Sequence, residues 1–236
     1  MDKKTIAIHQ PDFMPWLGFF NKMVKADEFV VLDHVSNNPR DGFWVRRVKM
    51  AIQQKEQWIT IPLVKPKEKV FVPINEMEVQ EDSYASKKML KSIRLNYSKA
   101  PFFEEGFELI EDFINDTEVL VAERNMKFIN KIRQKLEIDT PMVYSSTMDC
   151  KNTSTEMLIE ICRSLNADVY LVGGGATGYQ EDELFEKAGI ELQYLDFNQK
   201  EYSQVNNTEF IPGLSIVDVL MNCGIEQTKE LINGQN

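Results

Sequence analysis

The stretch TIAIHQPDFMPWLGFF, residues 5–20, decides the fold. Its first residues alternate as a strand does, its last open an apolar helix, and the ten positions 9–18 hold His9, Gln10, Pro11, Pro15, Trp16 and Gly18. The helix runs on through GFFNKMVKA, and EFVVLD after it is a continuous apolar run of the kind found in strands buried on both faces. Strand, helix, strand predicts a parallel pair and hence an α/β sheet.

Outward from this unit the pattern changes. Residues 41–80 read as a β-rich insertion of short runs, FWVRRVKM, QWITIPLV and VFVPINEMEV, forming a meander or extra strands between lysine-rich and proline-bearing turns. Residues 84–138 read as helical: Leu90, Ile93 and Tyr97 share one face, Phe103, Phe107 and Ile110 another, and Phe128, Ile132 and Leu136 a third, with Pro101 as a break. The last third returns to α/β. PMVYSS is a strand, TSTEMLIEICRSLNA a helix with a capping box from Thr153 to Glu156, and DVYLVGGG a strand ending in glycines. EDELFEKAG and IELQYLDF follow as helix and strand, and SIVDVLMNCG as a final helix with Ser215 at its N-cap, Asp218 in its first turn and Gly224 at its C-cap. The expectation is a single α/β domain over 1–236, with a mostly parallel, Rossmann-like sheet.

The bulk composition bounds the function. A chain of 236 residues, 43% hydrophobic and 27% charged, can bury a sizeable core. A net charge of −10 repels a phosphate backbone, so DNA is not an expected partner, and RRVK (46–49) and SKKMLKSIR (86–94) are the only local basic patches. No apolar stretch approaches the ~20 residues needed to span a bilayer, and MDKK leads straight into a strand, so a cytoplasmic protein without a membrane partner is expected. Cys150, Cys162 and Cys223 have no metal-type spacing, and the latter two sit on apolar helical stretches as small core residues.

Parallel sheets bind ligands beyond the carboxyl ends of their strands, and here those ends carry His9 and Gln10, Asp33 and His34, Ser145 and Ser146, and Gly173, Gly174 and Gly175. Four polar or glycine-rich ends make a pocket there the expectation. His9 is either a loop anchor or a proton carrier, with Asp33 as the candidate that orients it. Trp16 and Phe13 are core plugs or a stacking platform, while Pro11 and Pro15 fix the loop in one shape. GGGATGY, ending at Tyr179, is a plain turn or an anion cradle. Arg46 and Arg47 fall on opposite faces of a strand, so one of them at most reaches a ligand's pyrophosphate.

IHQPDFMPWLGFF, with YSS (144–146), ADVYLVGGGATGY (167–179), LFEKAGIEL (184–192) and FIPGLSIVDVLMNCG (210–224), resembles the WbqC-like family of bacterial surface-polysaccharide gene clusters. The resemblance implies a transferase that attaches an amino acid, glycine above all, or a related acyl group to the amino group of a nucleotide-linked amino sugar in O-antigen biosynthesis. His9, Asp33, Ser145 and Ser146 are then the candidate catalytic residues, His9 as base and the serines or glycine-loop N–H groups as oxyanion donors. Gln10, Pro11, Trp16 and Gly18, with Arg46, Arg47, the three glycines and Tyr179, are the candidate substrate contacts, with no metal site. The acyl donor is an aminoacyl carrier protein, a thioester, or an acyl group activated by ATP in the site. A second resemblance, of residues 11–33 to the HIGH-type nucleotidylyltransferases, aligns Gly18 with the motif's glycine but puts Phe19 where its second histidine belongs. An ATP-dependent ligase or nucleotidylyltransferase, or a sugar-nucleotide-binding protein without catalysis, are the alternative readings.

Overall fold

The computed structural model describes residues 3–36, 44–65, 72–173 and 181–234. Five parallel strands form the central sheet: β1 (Thr5–His9), β2 (Glu28–Val31), β5 (Met142–Tyr144), β6 (Val169–Val172) and β7 (Glu191–Tyr194). Their spatial order is β5-β2-β1-β6-β7, with Ile8 opposite Val30 on one side of β1 and Ile6 opposite Tyr170 on the other. Counted among the parallel strands alone this is 3-2-1-4-5, the Rossmann-like order.

Both faces of the sheet are covered, which explains why its central strands read as apolar runs. Ala7, Phe29, Val31 and Leu171 enter a core with α1 (Leu17–Val24), α2 (Ser83–Tyr97), α3 (Phe103–Asn115), α4 (Val121–Lys135) and α7 (Ile216–Asn233). Ile6, Ile8, Val30, Tyr170 and Val172 turn to the other face, against α5 (Ser154–Ser164) and α6 (Asp182–Lys187). Each fully buried aliphatic side chain of this kind contributes about 1.5–3 kcal/mol of transfer free energy. Cys162 lies in the second core and Cys223 in the first. Among the described residues no helix is long and apolar enough to cross a membrane.

The insertion keeps two of its three expected strands. β3 (Arg47–Ile52) and β4 (Lys55–Thr60) pair antiparallel, closed by Gln53 and Gln54, whose φ angles of 55° and 61° give the two left-handed residues a tight hairpin turn requires. The third run is not a strand over its described part: Pro73 opens a 3-10 turn at Ile74–Glu76, and the described chain around it makes single bridges, Ser36 to Pro73, Leu63 to Val79 and Glu78 to Leu120. A proline without an N–H cannot continue a ladder there.

Two helix ends differ from the sequence reading. Thr153 precedes α5 but makes no side-chain cap, and Ser154 after it adopts φ 56°; Glu160 reaches back instead to the amides of Lys151 and Asn152. Gly224, at φ 72°, interrupts the last helix as expected of a cap, yet the chain resumes as helix to Asn233. Ser215 does cap α7, its hydroxyl accepting from the Val217 amide at 3.3 Å. Asp218 is fully buried and accepts from the hydroxyls of Tyr97 and Tyr202, a brace between α2, α7 and the chain before α7.

The 10–16 loop is held by backbone on every side. Asn125 of α4 donates to the Pro11 carbonyl (2.8 Å), the Phe13 amide donates to the Trp44 carbonyl (2.8 Å), the Ser215 hydroxyl donates to the Met14 carbonyl (2.8 Å) and the Ile216 amide to the Pro15 carbonyl (2.7 Å). Trp16 then folds its indole over the first turn of α1, where a Cβ at Gly18 would overlap it, and packs edge-on against Phe197 at 5.6 Å. Gly18→Ala is therefore expected to cost about 1–3 kcal/mol, the usual penalty of forced overpacking, seen as a lowered urea midpoint at unchanged slope. An unchanged midpoint would mean that the indole can move aside freely.

Candidate functional site

The strand order reverses between β1 and β6, and in sheets of this order ligands bind in the crevice beyond the carboxyl ends at that point. His9 ends β1 and Gly173 follows β6, so both lie at the crevice. A third residue joins them from below. Lys22, on the buried face of α1, donates from Nζ to the Ile8 carbonyl at 2.7 Å, and a Cβ at Gly173 would come within 3.9 Å of that nitrogen.

His9 is fixed by its own loop. Its Nδ1 lies 3.0 Å from the Gln10 carbonyl, which can only accept, so Nδ1 carries the proton and Nε2 keeps its lone pair. Phe19 walls one side of the ring, edge-on at 4.9 Å, and the side chain stays 30% exposed, leaving the imidazole open to a ligand. The carboxyl beside His9 is Asp12, 3.6 Å from Nδ1, and not Asp33.

Three ionisable groups thus meet here, Lys22 and Asp12 buried and His9 at the rim. Burial and then the Lys22 charge push His9 down to about 3. Burial raises Asp12 to about 8, against the opposing pull of Lys22, and lowers Lys22 to about 7, against the opposing pull of Asp12. The imidazole is neutral throughout the physiological range, while the Asp12 and Lys22 pair is poised to gain or lose a proton within it.

Asp33 holds a separate cluster between β2 and β5. Its carboxylate accepts from the Ser145 hydroxyl (3.0 Å), the Ser146 amide (2.9 Å) and the Ser146 hydroxyl (2.6 Å), and its own amide donates to Ser145 Oγ at 3.1 Å. His34 Nδ1 sits 2.6 Å from the same Ser145 oxygen. The four residues share the carboxyl edge with His9, but both serine hydroxyls are spent on Asp33. An oxyanion reaches them only by displacing that carboxylate.

The other candidates divide. Pro11 is buried and serves through its carbonyl, Gly18 serves the Trp16 indole, and Gln10 keeps a half-exposed position beside His9. Arg47 lies on the outer face of the hairpin with its guanidinium 4.3 Å from the Trp58 ring centroid, and Arg46 precedes β3, its carbonyl accepting from the Ile61 amide. Gly174, Gly175 and Tyr179 fall outside the described residues. A cavity of about 460 Å³ opens between α5 and α6 beside Asn152, Glu156, Arg163 and Lys187, and another of about 150 Å³ beside Glu137, Thr140 and Lys229, neither touching a candidate site residue. Among the described residues no group of three or more His, Cys, Asp or Glu side chains is arranged to hold a metal ion.

Sequence reasoning passed over Asp12 and Lys22. The available signal was a lysine three positions after Phe19 and one before Met23, on a helix otherwise apolar at those positions. A cation on an apolar stripe is either misplaced or held for a purpose.

A Rossmann-like α/β domain with ionisable residues buried at its switch point is the class this geometry defines. The chain belongs to the WbqC-like protein family, whose sequence profile matches residues 10–230. It is similar to the uncharacterized protein Rv1507c of Mycobacterium tuberculosis, 29% identical over 225 residues that cover 94% of this chain and 95% of that protein. No solved structure matches the chain.

The depressed histidine sets a sign for stability against pH. As pH falls below the ordinary histidine value of 6.5, the unfolded chain takes a proton on His9 that the folded chain refuses until about 3, so this residue favours unfolding increasingly across that window. His9→Asn removes the effect. The stability of the variant relative to the native protein is expected to rise between about pH 7 and about pH 4.5 in urea unfolding, whereas a constant offset would show that His9 is not desolvated.

Proposed function

We propose that the protein is an N-acyltransferase that joins an amino acid, glycine first among the candidates, to the amino group of a nucleotide-linked amino sugar used in surface-polysaccharide assembly. The observation that carries this reading is His9: a neutral imidazole at a switch-point crevice, with Nδ1–H bound to a carbonyl and Nε2 without a hydrogen-bond partner among the described residues. The family resemblance supplies the acceptor and the acyl group.

The sugar amine nitrogen attacks the carbonyl carbon of an activated ester or thioester, and its surplus proton passes to His9 Nε2. The bond from carbon to the leaving oxygen or sulfur then breaks, and the departing atom takes that proton. An imidazole held far below its usual range is a weak base toward a free ammonium ion. The nitrogen of the tetrahedral adduct, more acidic than a free ammonium ion, is the better-matched proton donor to it, and the amine must attack in its neutral form. The net charge of −10 disfavours aminoacyl-tRNA as donor, leaving a carrier-protein thioester or an acyl group activated by ATP.

Phe19 speaks against nucleotidyl transfer. It is buried against His9, Phe20 and Phe29 where the HIGH pattern would put a phosphate-contacting histidine, and a phenyl ring offers a phosphate nothing.

The test supplies purified protein with a thymidine diphosphate-linked amino sugar and a panel of glycyl donors, and reads the glycyl increment by mass spectrometry. The increment is expected with at least one donor, and His9→Asn should lower the rate roughly 10²- to 10⁴-fold while the variant stays folded. No product with any donor counts against transfer, and full turnover by His9→Asn counts against His9 as the base.

A further inference from the structure

Lys22 brings an ammonium group to the gap between the carboxyl ends of β1 and β6 with its hydrogen bonding incomplete. An ammonium has three N–H donors, and among the described residues only the Ile8 carbonyl accepts one. Its other neighbours are the ring of Tyr170 on β6, with the centroid 5.9 Å from Nζ, and the Coulombic presence of Asp12 and His9. The side chain is 3% exposed, so water does not complete the set cheaply. Asp12 does not either: its carboxyl makes no hydrogen bond to a described residue, and its recorded neighbour is His9 Nδ1 at 3.6 Å.

We propose that Lys22 is the phosphate anchor of this site, its unused N–H groups taking the diphosphate of a nucleoside diphosphate where Gly173 leaves room beside them. The nucleoside part of this assignment rests on the function proposed above. The anion-binding part rests on geometry alone: a buried cation with spare donors, a residue without a side chain whose Cβ position would lie 3.9 Å from it, and the crevice that the strand order creates.

Electrostatics favour the same occupant. Asp12 faces Lys22 from the 10–16 loop, but burial keeps it protonated up to about 8, so at neutral pH it does not compete with an incoming anion. His9 faces it from β1 as a neutral ring, and the Tyr170 phenol, pushed up by burial, stays neutral as well. Burial lowers Lys22 to about 7, and a diphosphate in contact would restore its proton. Binding then takes up protons on the alkaline side of neutrality.

Calorimetric titration of the full chain with thymidine diphosphate and, separately, with inorganic pyrophosphate tests this. It is run at about pH 8 in two buffers of different ionisation heat, so that proton uptake is counted. The native protein is expected to bind thymidine diphosphate with proton uptake, and Lys22→Met to lose roughly 10- to 100-fold in affinity, the worth of a charged hydrogen bond. Pyrophosphate binding that also depends on Lys22 assigns the anchor to the phosphates alone, and its absence adds the nucleoside as a required part. Gly173→Ala guards against a misfolded Lys22 variant, because it keeps the cation and should still weaken the diphosphate several-fold. Equal affinity in the native protein, Lys22→Met and Gly173→Ala overturns the proposal, as does a native protein that binds neither ligand. No acyl donor is present in these titrations. Lys22-dependent binding without any glycyl transfer would discard the transferase reading alone, and transfer with Lys22-independent binding would discard the anchor alone.

Discussion

The side-chain amide of Asn125 is the contact on which the arrangement of the sheet edge depends. It is fully buried on α4, and its nitrogen donates to the carbonyls of Pro11 (2.8 Å) and Val45 (2.7 Å) at once. One planar group thereby ties three parts of the chain: the helical segment, the loop after β1 and the chain leading into the hairpin. An aspartate there could not donate, and a leucine of similar shape would leave two buried carbonyls without a partner, each worth about 1–3 kcal/mol. The prolines at 11 and 15 make the arrangement cheaper by restricting the unfolded chain, but they cannot choose where the loop docks. Asn125 chooses it, and the positions of His9 and Asp12 on either side of Pro11 follow.

Against that rigid loop stands a local arrangement that works against stability. Lys22 occupies a position on α1 where every neighbour from Leu17 to Met23 is buried, and a methionine or leucine would pack there without losing hydration. Asp12 is likewise kept from the charge it carries in water, and His9 from the one it would take below about 6.5. Buried ionisable groups cluster where chemistry or binding needs perturbed proton affinities, although structural ion-pair networks produce them too. Two features separate this trio from a structural network: Lys22 has N–H groups without acceptors, and Asp12 has no hydrogen-bond donor among the described residues. A network built for stability closes its own hydrogen bonds.

Much of this fold was legible because its periods are clean. The alternation in TIAIH and the unbroken run in EFVV follow from a sheet covered on both faces, and the helical stripes at Phe103, Phe107 and Ile110 or Phe128, Ile132 and Leu136 are the ones the core buries. What misled was local chemistry with a competitor. Thr153 and Glu156 have the spacing of a capping box, but Ser154 between them turns to φ 56° and the Thr153 side chain makes no cap. VFVPINEMEV has the composition of a strand, but Pro73 turns its described part into a 3-10 bend. At the site, strand ends were readable from sequence, whereas pairings between them were not. Asp33 and His9 end neighbouring strands, yet Asp33 finds two serines on the far side of β2, and His9 finds an aspartate three residues ahead in its own loop. Lys22 was hidden for a related reason: helical position places it on the apolar face, and only the sheet register shows that its reach ends at Ile8 and Gly173.

The carboxyl edge consequently carries two polar clusters of opposite character. Around Asp33 both carboxylate oxygens are occupied by serine donors, and Ser145 also meets the Asp33 amide and His34. Such a closed set joins the ends of β2 and β5, a pair whose short ladder spans only Phe29 to Val31 against Met142 to Tyr144. Around Lys22, on the other side of β1, donors and acceptors are left over among the described residues and the backbone beside them is Gly173. A closed cluster resists a ligand because any new bond must first break an old one, while an open cluster gains from a ligand whatever its own residues fail to give it. The same sheet edge can therefore be rigid on the β5 side and receptive at the β1–β6 switch point. The serines that sequence alone would nominate for chemistry fit better as the wall that keeps the neighbouring strand ends in place.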